Sequence, residues 1–491
     1  MTRLLLLFAI LLQTPASATE KPNILFFFVD DMGWQDTSVP FHSEKTQLNN
    51  DYRTPNMERL AADGIKFTNA YACAICSPSR VSLMTGMHAA RHKVTCWTLR
   101  KNVSPERKHP RFKKNDWNLN GLQPVGAGIE HTIESETLPG LLRKAGYRTI
   151  HAGKAHFGAQ NTPGADPSNL GFDVNIAGSY MGGPGSYHGD HNFSAEWRGG
   201  GKIWDVPRLE KYHGQKINLT EAITRESIAA VEQAVEDKKP FYLYLSHYAV
   251  HAPFEPDRRF LPNYANKDWP KHKKVYASMI ESMDHSLGDI RKTLKRLGVA
   301  DNTIIVFMSD NGSPGTNPQN LPLRGHKITG WEGGTRVPLI VHWPKMVKPG
   351  TTTDTPMIIE DIFPTFLEMA SVPVPANDGE SFIEILKNPT TNRSERPLFW
   401  HYPNFYNQPP YSAVRLGNFK LIYWHEKGAV ELYDLSKDLG ERNDITAKHP
   451  ERTQHLTTLL TKHLKEETKA IMPVTRESGK AIPYPSELLS R

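Results

Sequence analysis

Continuous apolar runs that alternate with helical patterns limit the fold of this chain more than any other feature. The run NILFFFV (residues 23–29) shows no alternation of polar and apolar residues, which is typical of a strand buried on both faces. Thr54 as a capping residue, Pro55 in the first turn and Gly64 as a stop predict a helix between them. Further helical patterns lead into apolar runs up to about residue 308. The sequence therefore predicts an α/β fold with a large, mostly parallel sheet sandwiched by helices.

The pattern changes after about Gly379. The runs PLFWHYP, SAVRLGNFKLIYW and GAVELYDL are short and strand-like, and residues 453–468 have the spacing of one amphipathic helix. We predict a small C-terminal antiparallel sheet with a helix, packed on the main domain. The expected organisation is a signal peptide over 1–18, a main α/β domain over 19–380 and a C-terminal antiparallel subdomain over 381–491.

The first residues have the pattern of a secretory signal peptide. Arg3 precedes the apolar run 4–12, which is too short to span a bilayer, and residues 16–18 are small enough for cleavage. No later stretch reaches transmembrane length, so we expect an exported protein, periplasmic or extracellular, with no membrane span. Export permits disulfides, and Cys73, Cys76 and Cys96 are an odd number. We expect Cys73 to pair with Cys96, which leaves Cys76 as a free thiol.

Four of the predicted strands end in groups suited to ligand binding. Carboxyl ends of parallel strands meet at one edge of a sheet, so these groups are expected to converge there. They are Asp30, Asp31, Lys154, His156, His247, His251, Asp310 and Asn311.

Two chemically different sets of side chains emerge at this edge. One set offers hard oxygen atoms, which suit calcium or magnesium rather than zinc; it consists of Asp30, Asp31, Asp310 and Asn311. The other set is cationic or can become so; it consists of Arg80, Lys154, His156, His251 and Lys327. Cationic groups beside a divalent metal are what a tetrahedral oxyanion requires.

The segment CSPSR (residues 76–80), followed by LMTG, matches the C-x-P-S-R…T-G signature of the type I sulfatases, within the alkaline phosphatase superfamily. NILFFFVDDMGW, GKAHFG, SDNGS, LRGHKITGWEGGTRVPLIV and ELYDLSKDLGERNDI resemble further landmarks of that family, in the family's order. The resemblance covers nearly the whole mature chain. It implies a sulfatase that hydrolyses a sulfate monoester to an alcohol and inorganic sulfate, with the catalytic domain over 19–380.

The resemblance also assigns a role to Cys76. In such enzymes a separate maturation enzyme oxidises the signature cysteine to formylglycine, whose hydrate is the nucleophile. On this interpretation the C-x-x-C spacing with Cys73 is accidental. A geminal diol has one hydroxyl that attacks sulfur and a second that expels sulfate afterwards, so one difficult step becomes two easier ones.

The other roles are implied residue by residue. Asp30, Asp31, Asp310 and Asn311 resemble the calcium ligands, with an oxygen from the modified Cys76; calcium is expected rather than magnesium. Arg80 would hold the modified residue, and Lys154 and Lys327 would bind sulfate oxygens. His156 matches the base that expels sulfate, and His251 matches the group that binds sulfate and protonates the leaving alcohol. His151, His247 and His326 lie off the motif positions and are expected to be structural or peripheral; His326 stands where many relatives have glycine.

Substrate identity depends on loops. Residues 178–204 are rich in glycine, aromatic residues and histidine, which suits contact with a sugar ring, so His188, His191 and His401 are candidate substrate contacts. The chain has a net charge of +7, and residues 100–117 are dense in Lys and Arg. We interpret that segment as a solvated loop rather than a polyanion-binding surface.

The expected partner is a sulfated carbohydrate that the enzyme attacks from the end of the chain. Galactose or N-acetylgalactosamine sulfates are the first candidate substrates, and nucleic acid is not an expected partner. Two alternatives stay open: a phosphonate or phosphodiester hydrolase on the same scaffold, and a non-catalytic surface protein that binds polyanions through residues 100–117.

Overall fold

The computed structural model describes residues 21–315 and 320–489, so the predicted signal peptide lies outside the described residues. The strands, in chain order, are β1 (Asn23–Val29), β2 (Ile65–Phe67), β3 (Ala70–Tyr71), β4 (Leu122–Gln123), β5 (Ile133–Glu134), β6 (Arg148–Gly153), β7 (Val174–Ile176), β8 (Phe241–Ser246), β9 (Thr303–Ser309), β10 (Leu339–His342), β11 (Thr351–Thr353), β12 (Met357–Ile358), β13 (Leu398–Tyr402), β14 (Tyr411–Leu416), β15 (Phe419–Trp424) and β16 (Ala429–Asp434).

The helices, in the same order, are α1 (Gln47–Asp51), α2 (Pro55–Ala62), α3 (Cys76–Thr85), α4 (Ala89–His92), α5 (Leu138–Lys144), α6 (Leu219–Glu236), α7 (Lys271–Arg296), α8 (Glu332–Thr335), α9 (Ile362–Met369), α10 (Ile383–Lys387), α11 (Pro450–Lys462) and α12 (Pro485–Leu489). The helix predicted between Thr54 and Gly64 is α2, with Thr54 at its N-cap. Among the described helices, none is both long and apolar enough to cross a bilayer.

The main sheet has the strand order β11-β2-β10-β9-β1-β8-β6-β7. Strand β1 pairs in parallel with β8 and β9, and β6 pairs in parallel with β8 and β7. Strand β10 runs antiparallel to both of its neighbours, β2 and β9. The mostly parallel sheet that the apolar runs predict is therefore confirmed.

Helices cover both faces of this sheet, because alternate residues of β1 enter two different apolar clusters. Phe26 and Phe28 pack on the side of α3, α5 and α9. Leu25 and Phe27 pack on the side of α2, α6 and α7. Burial on both faces explains why the run has no polar alternation.

The C-terminal strands form the predicted antiparallel sheet, in the order β13-β14-β15-β16. One face, with Trp400 and Ile422, joins the core on the α3 side of the main sheet. The opposite face, with Val414 and Leu421, packs against Leu456 of α11. The expected small sheet with a helix is confirmed. Its core is continuous with that of the main sheet, and the boundary at 380/381 stays a prediction.

A group of buried charged residues, the interface cluster, connects the two sheets: Glu332, Arg336, Arg415, Lys420 and Glu441. Lys420 Nζ lies 2.9 Å from Glu332 Oε1 and 3.0 Å from Glu441 Oε1. The hydroxyl of Tyr71 donates to Glu332 Oε2 at 2.7 Å and accepts a hydrogen bond from Arg415. Since Glu332 lies in α8 and Lys420 in β15, these ion pairs join the C-terminal sheet to the main domain.

The three cysteines are buried and free, so the predicted pairing of Cys73 with Cys96 is wrong. Cys73 Sγ contacts Ser82 Oγ of α3 at 3.9 Å. Cys96 Sγ contacts the hydroxyl of Tyr402 in β13, also at 3.9 Å. The odd count of cysteines showed only that one thiol must be unpaired, and it gave no information about which two lie together.

Candidate active site and metal site

Adjacent strands bring the predicted polar groups to one edge of the sheet. Strands β9, β1, β8 and β6 are consecutive neighbours and run in parallel, so their carboxyl ends lie side by side. Asp30 and Asp31 follow β1, Asp310 and Asn311 follow β9, and Lys154 follows β6. All five side chains are buried.

Three aspartates form a compact acidic group. The carboxylates of Asp30, Asp31 and Asp310 each offer an oxygen, and these oxygens lie within 4.8 Å of one another. Asp31 has a φ of +62°, a left-handed conformation that turns the chain at the end of β1. Its backbone N–H donates to Asp310 Oδ1 at 3.1 Å, and Met32 N–H donates to Ser309 Oγ at 3.0 Å. These bonds tie the turn after β1 to the end of β9.

Two oxygens at this group are buried without a hydrogen-bond partner. They are Asp30 Oδ1 and Asn311 Oδ1. The amide of Asn311 donates to Asp31 Oδ1 at 2.8 Å, which orients the side chain. Burial, and then the neighbouring Asp310 carboxylate, raise the pKa of Asp30 well above its usual value. Orphaned hard oxygens among crowded carboxylates fit a calcium or magnesium ion, because a cation would satisfy the acceptors and relieve the repulsion.

Each aspartate has a basic partner, and we call these six residues the site cluster. Arg80 Nη2 lies 2.8 Å from Asp310 Oδ2, Lys154 Nζ 2.6 Å from Asp30 Oδ2, and Lys327 Nζ 2.5 Å from Asp31 Oδ1. Burial lowers the pKa of Lys327, but the Asp31 carboxylate raises it by a larger amount, so this ammonium is charged. The paired charges leave the site cluster formally neutral.

Cys76 is the first residue of α3, and Arg80 follows one turn later on the same helix. The Cys76 side chain is buried, with the residue only 3% exposed. Burial raises the pKa of its thiol, Lys154 and Lys327 lower it, and Asp30 and Asp310 raise it. The thiol therefore lies within electrostatic reach of both the acidic group and the lysines, but its sulfur is not among the atoms clustered within 4.8 Å.

His156 is arranged as a proton acceptor. Its Nε2 donates to the Thr98 carbonyl at 2.7 Å, which leaves Nδ1 unprotonated, buried and without a partner. Burial, and then Lys154, lower the pKa of His156 well below its usual value. The ring is thus neutral at pH 7, with a free lone pair.

His251 lies on the other side of the acidic group. Its Nδ1 donates to the Ala252 carbonyl at 2.7 Å, and its Nε2 lies 3.8 Å from Asp31 Oδ2. Burial, and then Lys327, lower the pKa of His251 to about 3. The proton-donor role expected for His251 therefore requires it to gain a proton on Nε2 when an anion enters.

Two glycines that the sequence did not single out allow a loop to pass over these histidines. A Cβ built on Gly182 would lie 2.5 Å from His156 Cε1, and one on Gly183 would lie 2.7 Å from His251 Nδ1. The adjacent pair inside a glycine-rich segment was the available signal. Ser246 was also missed; its Oγ accepts from Arg80 Nη1 at 2.7 Å.

The structure brings two of the three predicted substrate histidines towards this loop. His191 stacks on Trp197 with ring centres 4.4 Å apart and lies 3.0 Å from Ser186 Oγ, and His188 precedes it. Tyr187 connects the segment to the site, since its hydroxyl donates to the His251 carbonyl at 2.8 Å.

His401 needs correction. It lies on β13, its Nδ1 is 2.8 Å from Ser412 Oγ, and its Nε2 is 2.9 Å from the Ile471 carbonyl. With both ring nitrogens bonded inside the protein, it does not serve the pocket.

The histidines expected to be structural or peripheral lie outside the acidic group. His247 Nε2 bonds Ser286 Oγ at 2.8 Å, and His151 is buried among aromatic rings. His326 Nδ1 bonds the backbone carbonyl of Lys327 at 3.0 Å.

A family model described as "Sulfatase" matches residues 22–372, and one described as "N-sulphoglucosamine sulphohydrolase, C-terminal" matches residues 327–470. The chain is 30% identical to the N-acetylgalactosamine-6-sulfatase of Homo sapiens, over 83% of this chain and 73% of that protein. It is 27% identical to a sulfatase of Formosa agariphila, over 97% and 94% of the two chains.

A similar solved structure is the crystal structure of Ps i-CgsB, at 27% identity and a TM-score of 0.74, covering 90% of this chain and 92% of that one. That protein has also been crystallised in complex with k-i-k-neocarrahexaose. The first family model alone spans more than half of the chain, and the sheet edge described above lies within it. The chain therefore belongs to the sulfatase family of the alkaline phosphatase superfamily and is a sulfuric ester hydrolase.

Proposed function

We propose that this sulfatase is an exported, formylglycine-dependent enzyme that removes sulfate from the end of a sulfated carbohydrate. Galactose or N-acetylgalactosamine sulfates are the first candidate substrates. The observation that carries the mechanism is the site cluster with the adjacent Asn311. Asp30 and Asn311 each have one orphaned oxygen, and Cys76 lies within electrostatic reach of the aspartates and lysines. The proposal of export is based on residues 4–18. The proposal of a separate maturation enzyme is based on the resemblance at Cys76.

Asp30, Asp31, Asp310 and Asn311 would hold a calcium ion, since they supply hard oxygens of which two lack partners. The ion would supply positive charge that lowers the pKa of the attacking hydroxyl. Formylglycine at position 76 would supply that hydroxyl and a second one for release of sulfate.

The chain's own residues would then bind and orient the sulfate group. Lys154 and Lys327 would attract its oxygens, which offer these lysines an alternative partner to the aspartates that they now bind. His156 would accept a proton at Nδ1, because its Nε2 is committed to Thr98. His251 would donate a proton from Nε2 to the leaving alcohol after gaining it on substrate binding.

Peptide mass spectrometry across Cys76 of the natively expressed protein tests the nucleophile, since conversion of the thiol to an aldehyde lowers the mass of that residue. Release of sulfate from 4-nitrophenyl sulfate, compared with hydrolysis of a phosphate diester, tests the reaction. A clear preference for the diester would favour the phosphodiesterase alternative and contradict this proposal.

Two similar proteins support the sugar assignment: the human relative is an N-acetylgalactosamine-6-sulfatase, and Ps i-CgsB has been crystallised with a neocarrahexaose. A panel of defined oligosaccharides, sulfated at single positions of galactose, N-acetylgalactosamine and glucosamine, tests it. Sulfate release from terminal galactose-type residues is expected, and release from glucosamine alone would contradict the assignment.

A further inference from the structure

Two surface segments carry an excess of positive side chains, and the second also contains the exposed Glu477 between Arg476 and Lys480. In the described parts of the chain, none of these side chains forms an ion pair, and the nearby carboxylates of Glu426 and Asp116 pair with His109 and His131 instead. We call this group the basic surface. Its exposed members are Arg100, Lys101, Arg107, Lys108, Arg111, Lys113, Lys114, Arg476 and Lys480.

The first segment is the loop with solvated basic side chains expected from the sequence, and buried contacts anchor its backbone. Phe112 is buried and stacks on Phe405, with ring centres 4.8 Å apart. Asn115 Nδ2 donates to the Pro403 carbonyl at 2.8 Å, and Trp117 Nε1 donates to Ser104 Oγ at 3.3 Å. Cations held on a fixed backbone bind an anion at a lower entropic cost than cations on a loose loop.

Backbone hydrogen bonds join the two segments into one patch. Lys113 N–H donates to the Val474 carbonyl at 2.9 Å, and Arg476 N–H donates to the Arg111 carbonyl at 2.8 Å. Lys113 Nζ lies 3.9 Å from the point where a Cβ of Gly479 would be, directly before Lys480. Lys113 Nζ therefore lies beside the backbone that carries Lys480, and an excess of positive charge on one surface favours a multivalent anion.

The patch is continuous with the active site. Thr98, two residues before Arg100, accepts the hydrogen bond from His156. Further along, Arg107 N–H donates to the carbonyl of Phe405 at 2.9 Å. The next residue, Tyr406, has a phenol that interacts electrostatically with Lys327 and Cys76. The basic surface therefore adjoins the active site through the backbone near Thr98 and Tyr406.

We propose that the basic surface binds sulfate groups of a polyanionic polysaccharide at positions beyond the terminal sulfate held in the pocket. This inference rests on the proposed function, and it makes long, multiply sulfated chains the preferred substrates. Many weak contacts to solvated cations add up and release counterions, so binding depends steeply on salt. Phe112 and Trp117, the large rings of the segment, are buried and provide no platform for stacking nucleic acid bases.

The test compares two fourfold variants of the full enzyme. The first, K108Q/K113Q/K114Q/K480Q, removes lysines whose side chains make no hydrogen bond or ion pair within the described structure. The matched control, K45Q/K216Q/K239Q/K295Q, removes four other exposed lysines without ion pairs. Binding to size-fractionated chondroitin sulfate is measured without turnover at several salt concentrations, with desulfated chondroitin, duplex DNA and anionic phosphatidylserine vesicles as further probes.

The first variant is expected to bind chondroitin sulfate about tenfold more weakly than wild type at 0.1 M salt, with a shallower salt dependence. Its turnover of 4-nitrophenyl sulfate is expected to be unchanged, which separates this inference from the proposed function. Equal binding by the two variants would overturn the inference, as would tighter binding of DNA or vesicles through the same lysines. The single variants K113Q and K480Q give the same comparison if the fourfold variant does not fold.

Discussion

The molecule contains two buried charge clusters that resemble each other in composition and differ in how completely they are satisfied. In the interface cluster, both oxygens of Glu332 have partners, Tyr71 on one and Lys420 on the other. In the site cluster, Asp30 Oδ1 has no hydrogen bond, and neither does the adjacent Asn311 Oδ1. The first cluster also has one oxygen without a hydrogen bond, Glu441 Oε1, but that oxygen lies 3.0 Å from Lys420 Nζ, whereas Asp30 Oδ1 lies 3.9 Å from Arg80 Nη2.

Perturbed pKa values do not distinguish the two clusters. Although burial raises the pKa of Glu332, Lys420 and then Arg336 lower it to about 2. Burial raises the pKa of Glu441 to about 7. The site cluster shows the same two opposite shifts. Although burial raises the pKa of Asp31, Lys327 and other groups lower it overall, and burial raises the pKa of Asp30. Burial and charge therefore mark both clusters, and we expect a ligand at the one whose orphaned oxygens have no cation at hydrogen-bond distance.

The largest difference is expected at Cys76, the proposed source of the nucleophile. Cys76→Ser should lower kcat/KM for 4-nitrophenyl sulfate by about 10⁴-fold, because a serine has no second hydroxyl with which to expel sulfate. The matched variant Cys73→Ser, shortly before α3 begins, should keep activity within about threefold, since the Cys73 thiol contacts Ser82 Oγ within the apolar core. Equal losses in the two variants would show that the region is sensitive to packing alone.

Glu332→Gln should produce the opposite pattern. It leaves Lys420 and Arg336 in the interface without a full counter-charge, which should cost about 3–5 kcal/mol in the free energy of unfolding. Activity per folded molecule should stay close to that of wild type. Urea unfolding followed by fluorescence measures the first quantity, with the exposed Glu384→Gln as control. A stable, inactive variant would contradict the division into two clusters.

Calcium should stabilise the folded protein by binding at the site cluster and not at the interface cluster. At about 100 times its dissociation constant, a ligand of the folded state adds about 2.7 kcal/mol to the free energy of unfolding. The melting temperature of wild type and of Glu332→Gln should rise with calcium, and that of Asn311→Ala should not, because the orphaned Oδ1 is gone. An unchanged response in Asn311→Ala would remove Asn311 from the ligand set.

A smaller, pH-dependent effect is expected at a third buried pair, His88 and Glu360, whose side chains are 3.0 Å apart. Burial and Arg396 lower the pKa of His88, but Glu360 and then Asp378 raise it by a larger amount. The pKa of His88 is therefore above its usual value. Stability from this pair is therefore fully present below about pH 6.5 and is lost as the pH rises through the folded-state pKa. Relative to His88→Gln, wild type should lose on the order of 1 kcal/mol between pH 6 and pH 9. Parallel stability curves for the two proteins would contradict this.

Sequence reasoning predicted the sheet and half of the site. The runs before Asp30 and Asp310 are apolar throughout, and the strand-end rule then places both carboxylates at one edge. Cys76, Arg80 and Lys327 follow no strand, so the strand-end rule did not place them, and their roles came from the resemblance. Partners made by tertiary packing had no sequence signal: Lys420 and Glu332 are 88 positions apart, and Gly182 covers His156 only because a loop returns over it.

The pairing of Lys154 and Lys327 with aspartates has a consequence for the order in which ligands enter. A divalent ion that takes carboxylate oxygens from these lysines leaves two ammonium groups short of a partner, and an incoming oxyanion supplies one. By reciprocal linkage, each ligand then raises the affinity for the other. We expect heterotropic cooperativity: calcium should bind more tightly in the presence of an unreactive oxyanion than alone, and the oxyanion should bind weakly until calcium is present.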